Sequence, residues 1–374
     1  MSDNPHIIDA SPNNQRLLSL DVMRGFIMVL LALESAGLYS ALLENSKGGA
    51  MYDFWTEFTH YPWHGLHFWD LIQPGFMFIA GTALAFSLHK QGAKQISWKQ
   101  SLFKTLRRSG WLFFWGVLDY AVRGNHLSFE LWDVLTQLSF TLLVAFLIFR
   151  WPVFYQVLFS LGLLLLTEIL YRCVHVPGFS QPFTDQHNFG NYMDQILMHK
   201  INKDGWVAIN CIPTAAHTIW GTIAGKLLLN RNKKHKAAIL CLAALGCFIL
   251  GYGLDWTGIT PIIKRIATSS FVFASGGWCL LGLAIFYWWI DVRNHRKYLK
   301  FFTIVGMNSI FLYLFFEIVG DRWFTGYITI IAHSLMNFMS VPGNANRVIS
   351  SLFVFGLEWM LCYYLYRKKI FFKL

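Results

Sequence analysis

The sequence predicts an all-α, polytopic membrane helix bundle, and two observations carry that expectation. Of 374 residues, 55% are hydrophobic and 17% aromatic while only 14% are charged, against about 25% charged in an ordinary soluble domain. Apolar runs of the roughly 17–25 residues that span a bilayer as a helix recur at approximately 17–43, 67–89, 103–122, 131–149, 153–172, 206–229, 236–254, 268–290, 302–320 and 348–366. About ten transmembrane helices are therefore expected, the third and fourth being short or charged at their ends.

Charge asymmetry orients them. With the N-terminus inside, twenty Lys and Arg fall on cytoplasmic segments and nine on the other side. Positive residues stay inside, so both termini are expected in the cytoplasm. The net charge of +11 then follows from topology and an anionic inner leaflet, with no nucleic acid required.

No linker or low-complexity tract divides the chain, so one domain is expected over 1–374. It has a polar tail at 1–15, an outer loop at 173–205 and a basic tail at 367–374. The tail 1–15 lacks the basic, apolar and small-residue regions of a signal peptide, so the first helix reads as a retained anchor. The outer loop is long enough to be a functional lid or a solvated connector. The segment 321–347 reads as interfacial or re-entrant. Five of the six cysteines lie in apolar segments and no CxxC pattern occurs, so neither a disulfide framework nor a metal site is implied.

The first helix opens with Arg16, Ser19, Asp21 and Arg24. Ser19 suits an N-cap, and Asp21 complements the helix dipole and can pair with Arg24. Alternatively, Arg16 and Arg24 meet the phosphates of a ligand entering from inside. Glu34 lies fifteen residues beyond Ser19, about 22 Å up the helix, level with the start of the second span and within reach of His60, His64 or His67 if the two helices are neighbours.

The second span begins HYPWHGLHFWDLIQPGFMFIAG, from His60 to Gly81. Titratable groups inside lipid are costly and persist mainly where they act. Histidine exchanges protons near neutral pH and its neutral ring is a nucleophile. If helical throughout, Asp70 lies roughly 15 Å from His60, so it is expected to line a cavity below rather than touch the ring. The spacing of the three histidines gives no clean zinc ligand set. Further along, Asn308 and Ser309 read as interhelical hydrogen-bond glue or as site residues.

Three motifs carry a resemblance: R-x-x-S-x-D-x-x-R-G at Arg16 to Gly25, H-x-x-W-x-G followed by D-L-x-x-P-x-F-x-F-I-x-G at His60 to Gly81, and GMNSIFLY at Gly306 to Tyr313. Together they resemble the membrane-embedded acyltransferases that include lysosomal heparan-alpha-glucosaminide N-acetyltransferase and its bacterial relatives. The resemblance implies transfer of an acetyl group from cytoplasmic acetyl-CoA to an amino sugar or related glycan on the outer side of a bacterial inner membrane. It implies His60 as central base or nucleophile; beside it, Glu34 is expected to orient the ring, Trp63, His64, Asp70 and Asn308 to hold the acceptor, and the basic residues Arg16, Arg24, Arg107 and Arg108 to hold the polyanionic CoA. The partners are then the lipid bilayer, acetyl-CoA and the acceptor, with a homodimer left open and no metal. Where the lysosomal member carries an Asn, Glu34 stands here, so the acceptor is not fixed. The rival expectations are a proton-coupled transporter using the same polar residues and an O-acyltransferase acting on envelope polysaccharide.

Overall fold

The computed structural model describes residues 17–122 and 127–372; Arg16 and the tail 1–15 lie outside the described residues. The protein is 73% helix, with no strands among the described residues. The chain opens with α1 (Leu18–Ser35), α2 (Leu38–Asn45) and α3 (Tyr52–Thr56), then enters α4 (Ile72–Ala93) through a 3-10 turn at Phe68–Leu71. There follow α5 (Trp98–Ala121), α6 (Val134–Leu147), α7 (Val153–Cys173), the short α8 (Phe189–Met198) and α9 (Cys211–Leu229). The remaining helices are α10 (Lys236–Trp256), α11 (Ser269–Phe286), α12 (Leu299–Met307), α13 (Ser309–Phe315), α14 (Thr325–Phe338) and α15 (Gly343–Arg367).

This is an integral membrane protein. Among the described residues, five helices are long and apolar enough to cross a bilayer: Phe68–Ala93, Val153–Cys173, Lys236–Trp256, Ser269–Val292 and Gly343–Arg367. Two bent pairs raise the number to seven if each is one span: α1 with α2, bent by 64°, and α12 with Ser309–Gly320, bent by 72°. The expected ten is larger because three expected spans are helices of another kind. Helix α5 carries Lys99, Lys104, Arg107 and Arg108, α6 has only 14 residues, and α9 carries Thr214, His217, Thr218 and Thr222. Those four α9 residues are buried, so their polarity faces protein rather than lipid.

Local chemistry sets several helix ends. Ser97 and Gln100 form a reciprocal capping box at the start of α5, and the Asp133 carboxylate accepts from the Leu135 N–H to cap α6. At α1 the cap position is Leu17 rather than Ser19, because the helix starts a residue before Ser19; the Ser19 N–H instead donates to Asp291 at 3.2 Å. Asp21 and Arg24 do pair, at 3.9 Å. The segment 321–347 forms the end of a π-helical stretch, Phe316–Phe324, followed by α14, which packs against α15.

The centre of the bundle is the contact of α4 with α9, which α6, α7 and α11 surround. Glycines let the two backbones touch: a Cβ at Gly81 would overlap the Thr218 carbonyl oxygen, and one at Gly221 would overlap that of Phe78. Small residues at such crossings are how membrane helices gain close packing without a hydrophobic drive. We expect Gly81→Val and Gly221→Val each to cost at or above the roughly 1–3 kcal/mol of an overpacked core, read as a lower Tm in detergent. Gly246→Ala on α10, where nothing lies within 4 Å of the new Cβ, should leave the Tm unchanged.

Candidate active site

The segment from His60 to His67 is not helical. Pro62 has no N–H to offer a helix, and Gly65 takes φ +150°, where its missing Cβ leaves room for the Tyr61 ring. The chain therefore doubles back and brings His60 onto Asp70, which corrects the expectation that the two lie apart. The His60 Nδ1 sits 2.9 Å from Asp70 Oδ1. The second carboxylate oxygen, Oδ2, accepts the backbone N–H groups of Tyr61 at 3.2 Å and His67 at 3.0 Å. Asp70 is buried, whereas the His60 side chain is 42% exposed, so the ring can meet a substrate.

A third group completes the cluster. Lys264, in the segment between α10 and α11, places Nζ 3.3 Å from Asp70 Oδ1 and 3.1 Å from His60 Nδ1, and its side chain is only 7% exposed. The same Nζ lies over the Trp206 ring, whose edge-on contact with the His60 ring has centroids 5.8 Å apart. Burial, then the Lys264 cation and Arg265, hold the His60 imidazole below the ordinary histidine range, against the pull of Asp70. Burial pushes the Lys264 ammonium down to about 8, with Asp70 opposing and Arg265 adding to the fall. A neutral imidazole bound to a carboxylate through one nitrogen leaves its other nitrogen as a base or nucleophile.

The other expected site residues separate into groups. Trp63 donates Nε1–H to the Phe183 carbonyl at 2.8 Å and so ties the outer segment to the His60 loop. His64 pairs with Asp255 at 2.7 Å, and that carboxylate also accepts the Ile262 N–H, which anchors the segment bearing Lys264. The Glu34 pairing with His60 is not formed. Glu34 is exposed at the end of α1, close enough to act electrostatically on Tyr39, whose ring stacks on Phe58 and meets Trp69 edge-on. The carboxylate beside the ring is Asp70 instead.

A cavity of about 630 Å³ with mixed walls lies toward the opposite end of α4, its polar lining including Asp21, Arg24, Ser87, Arg108, Ser309 and Tyr313. Arg24 and Arg108 share this cavity, and Arg108 has no ion-pair partner among the described residues. Arg107 is exposed and absent from the lining, because Arg108 borders the buried stripe of Thr105, Ser109 and Leu112 and its neighbour is turned by about 100°. Asn308 is fully buried; its Nδ2–H donates to the Ile370 carbonyl and its Oδ1 accepts the Phe372 N–H, both at 3.1 Å. It thus holds the 370–372 segment, whose Phe372 lines the cavity. On α4, Ala83, Ala80 and Phe76 line the cavity, and Gln73 follows at the same helical spacing of three and four, one turn from Asp70 in the 3-10 entry to α4; Gln73 hydrogen-bonds Gln137 on α6. A separate crevice of about 420 Å³ between α1, α4 and α11 has mostly apolar walls, with Glu57 and His67 among its lining.

Lys264 and Trp206 were not legible as site residues in the sequence. Their only signal is a Lys-Arg pair set between apolar stretches, PIIKRIA, on the side where positive residues are scarce.

The fold and the site together define a helical membrane protein with a half-exposed histidine held by a buried carboxylate and a buried lysine. Heparan-alpha-glucosaminide N-acetyltransferases of Homo sapiens and Mus musculus are each 24% identical to it over 96% of this chain. This is a distant relationship to that family. The chain spans about 60% of the length of these curated relatives, and no protein-family model matches it.

Removing the amide that holds the 370–372 segment, by Asn308→Ala, should raise hydrogen exchange of the Phe372 amide roughly five- to tenfold, the loss of its buried hydrogen bond of about 1–1.5 kcal/mol. Exchange at wild-type rate would show that the segment is held by other contacts.

Proposed function

We propose that this protein is a transmembrane acetyltransferase that takes an acetyl group from acetyl-CoA at the Arg24–Arg108 end and passes it to an amino sugar or related glycan at His60. The observation that carries this reading is the placement of two features along α4: a cavity bearing two arginines beside the helix, and the His60–Asp70 pair at the 3-10 turn that enters it. Arg108, without an ion-pair partner among the described residues and joined by Arg24, suits the phosphates of a nucleotide. The apolar stretch of Phe76, Ile79 and Leu138 suits the arm that carries the thioester. The similarity to the two N-acetyltransferases supports the same chemistry. In this reading the Arg24 end faces the cytoplasm and the membrane is a bacterial inner membrane.

His60 works through Nε2. At 2.9 Å, a proton must lie between Nδ1 and the Asp70 carboxylate, so Nδ1–H donates and the lone pair is on Nε2. As the acceptor amine attacks the thioester carbon, Nε2 takes the amine proton. The carbon–sulfur bond breaks, and the proton passes to the departing thiolate, leaving an amide and free CoA. Asp70 fixes the tautomer and offsets the charge on the ring while it holds that proton. Attack on the thioester by Nε2 itself, giving a transient acetyl-imidazole, uses the same atoms in two steps.

His60→Ala should abolish acetyl transfer from acetyl-CoA to glucosamine-type acceptors in a protein that still folds in detergent, with a Tm lowered by the lost Asp70 partner; retained transfer would remove the assignment. Arg108→Gln should raise KM for acetyl-CoA roughly tenfold, the loss of one charge-assisted contact, with little change in kcat. CoA should stabilise the wild-type protein thermally, since it binds the folded state, and absence of that effect would favour a transporter.

A further inference from the structure

The triangle of His60, Asp70 and Lys264 is more than the carboxylate–imidazole pair needs. Asp70 Oδ2 already accepts two backbone N–H groups, and Oδ1 faces both the ring at 2.9 Å and the ammonium at 3.3 Å. Lys264 also stands 3.1 Å from Nδ1 itself. If Nδ1 carried the lone pair and accepted from Lys264, that lone pair would face a carboxylate oxygen at 2.9 Å with no proton between them, which is repulsive. The arrangement is satisfied when Lys264 donates to Asp70 and Nδ1–H donates to the same oxygen. Lys264 is then a fixed positive charge against the edge of the ring.

We propose that Lys264 is a positioning residue that locks the proton of the pair on His60 Nδ1 and, by like charge, keeps a second proton off Nε2. An Asp–His pair left alone draws a proton onto the imidazole, because the imidazolium gains the carboxylate as partner. That would trap the base in its spent form after each turnover. The lysine cation opposes this at hydrogen-bond range, and burial makes the opposition strong because little water screens it. The charged and titratable groups bearing on His60 are Asp70 at the entry to α4 and Lys264 and Arg265 from the 257–268 segment. The nearby histidines are engaged elsewhere: His64 with Asp255, and His67 with the Thr59 carbonyl. Trp206 confines the lysine, its ring lying 5.3 Å from Nζ.

The role in turnover rests on the reading of His60 as the base, but its test does not need a donor or an acceptor. Diethyl pyrocarbonate modifies only unprotonated imidazole, so its rate at His60, followed by peptide mass spectrometry on the full-length detergent-solubilised protein, gives the protonation midpoint of the ring. Lys264→Met should move that midpoint upward by about one pH unit, the low end of what one adjacent charge does, and the acid limb of kcat/KM should follow. Lys264→Arg should keep the wild-type profile. Because Lys264→Met leaves Asp70 without its ammonium and can fail to fold, the comparison is repeated between Asp70→Asn and Asp70→Asn with Lys264→Met, where the doubly substituted protein should show the higher midpoint. Unchanged or lowered midpoints on loss of the lysine, in either background, overturn the proposal. Normal modification profiles without any acetyl transfer would instead overturn the reading of the function and leave the role of Lys264 in the protonation of the ring intact.

Discussion

One carboxylate organises the His60 end of this protein. Asp70 sits in the first turn entering α4 and accepts from two backbone N–H groups of the returning loop, from an imidazole and from a buried ammonium. A carboxylate taken out of water costs several kcal/mol unless such partners replace its hydration. Satisfying it therefore dictates where the 60–67 loop goes and which segment between α10 and α11 covers it. Side chains from distant parts of the chain converge because the buried charge requires them, and a ring that is 42% exposed is left where solvent and substrate can reach it.

The rest of the bundle relates this cluster to the far end of α4. The glycine contacts of α4 with α9 hold that helix in the centre, and its opposite side faces α6 and the cavity containing Arg24 and Arg108. Helices that surround this centre can be polar, as α9 is, because their hydroxyls find protein partners: Thr218 meets Thr141, and His217 meets Ser275. A chemical site of this kind needs a polar interior wrapped in apolar helices. The lipid-facing surfaces of α7 and α10, rich in exposed Leu and Ile, supply the wrapping.

Much of this was legible in the sequence, and the misses have definite causes. Composition and run length gave the helical membrane class, and the motif at His60 to Gly81 marks the segment from which the candidate site is built. The distance between His60 and Asp70 was misjudged because helical rise was carried through Pro62 and Gly65, where the backbone turns instead. Height along α1 alone suggests Glu34 as the partner of the ring, and linear spacing does not show that the loop folds back to bring Asp70 there instead. Lys264 lies 204 residues from His60, and only packing reveals that it is buried rather than one more loop cation. Arg107 and Arg108 were alike as charges; helical phase separates them.

The central claim is that a single interior path joins the two-arginine cavity to His60. A density map of the protein bound to a non-hydrolysable acetyl-CoA analogue tests it most directly. The account predicts the nucleotide phosphates beside Arg24 and Arg108, the arm along Ala80, Phe76 and Gln73, and the acyl carbon in contact with His60 Nε2. An analogue seated elsewhere, or one whose acyl end stops short of the ring behind a closed Gln73–Gln137 contact, would contradict it.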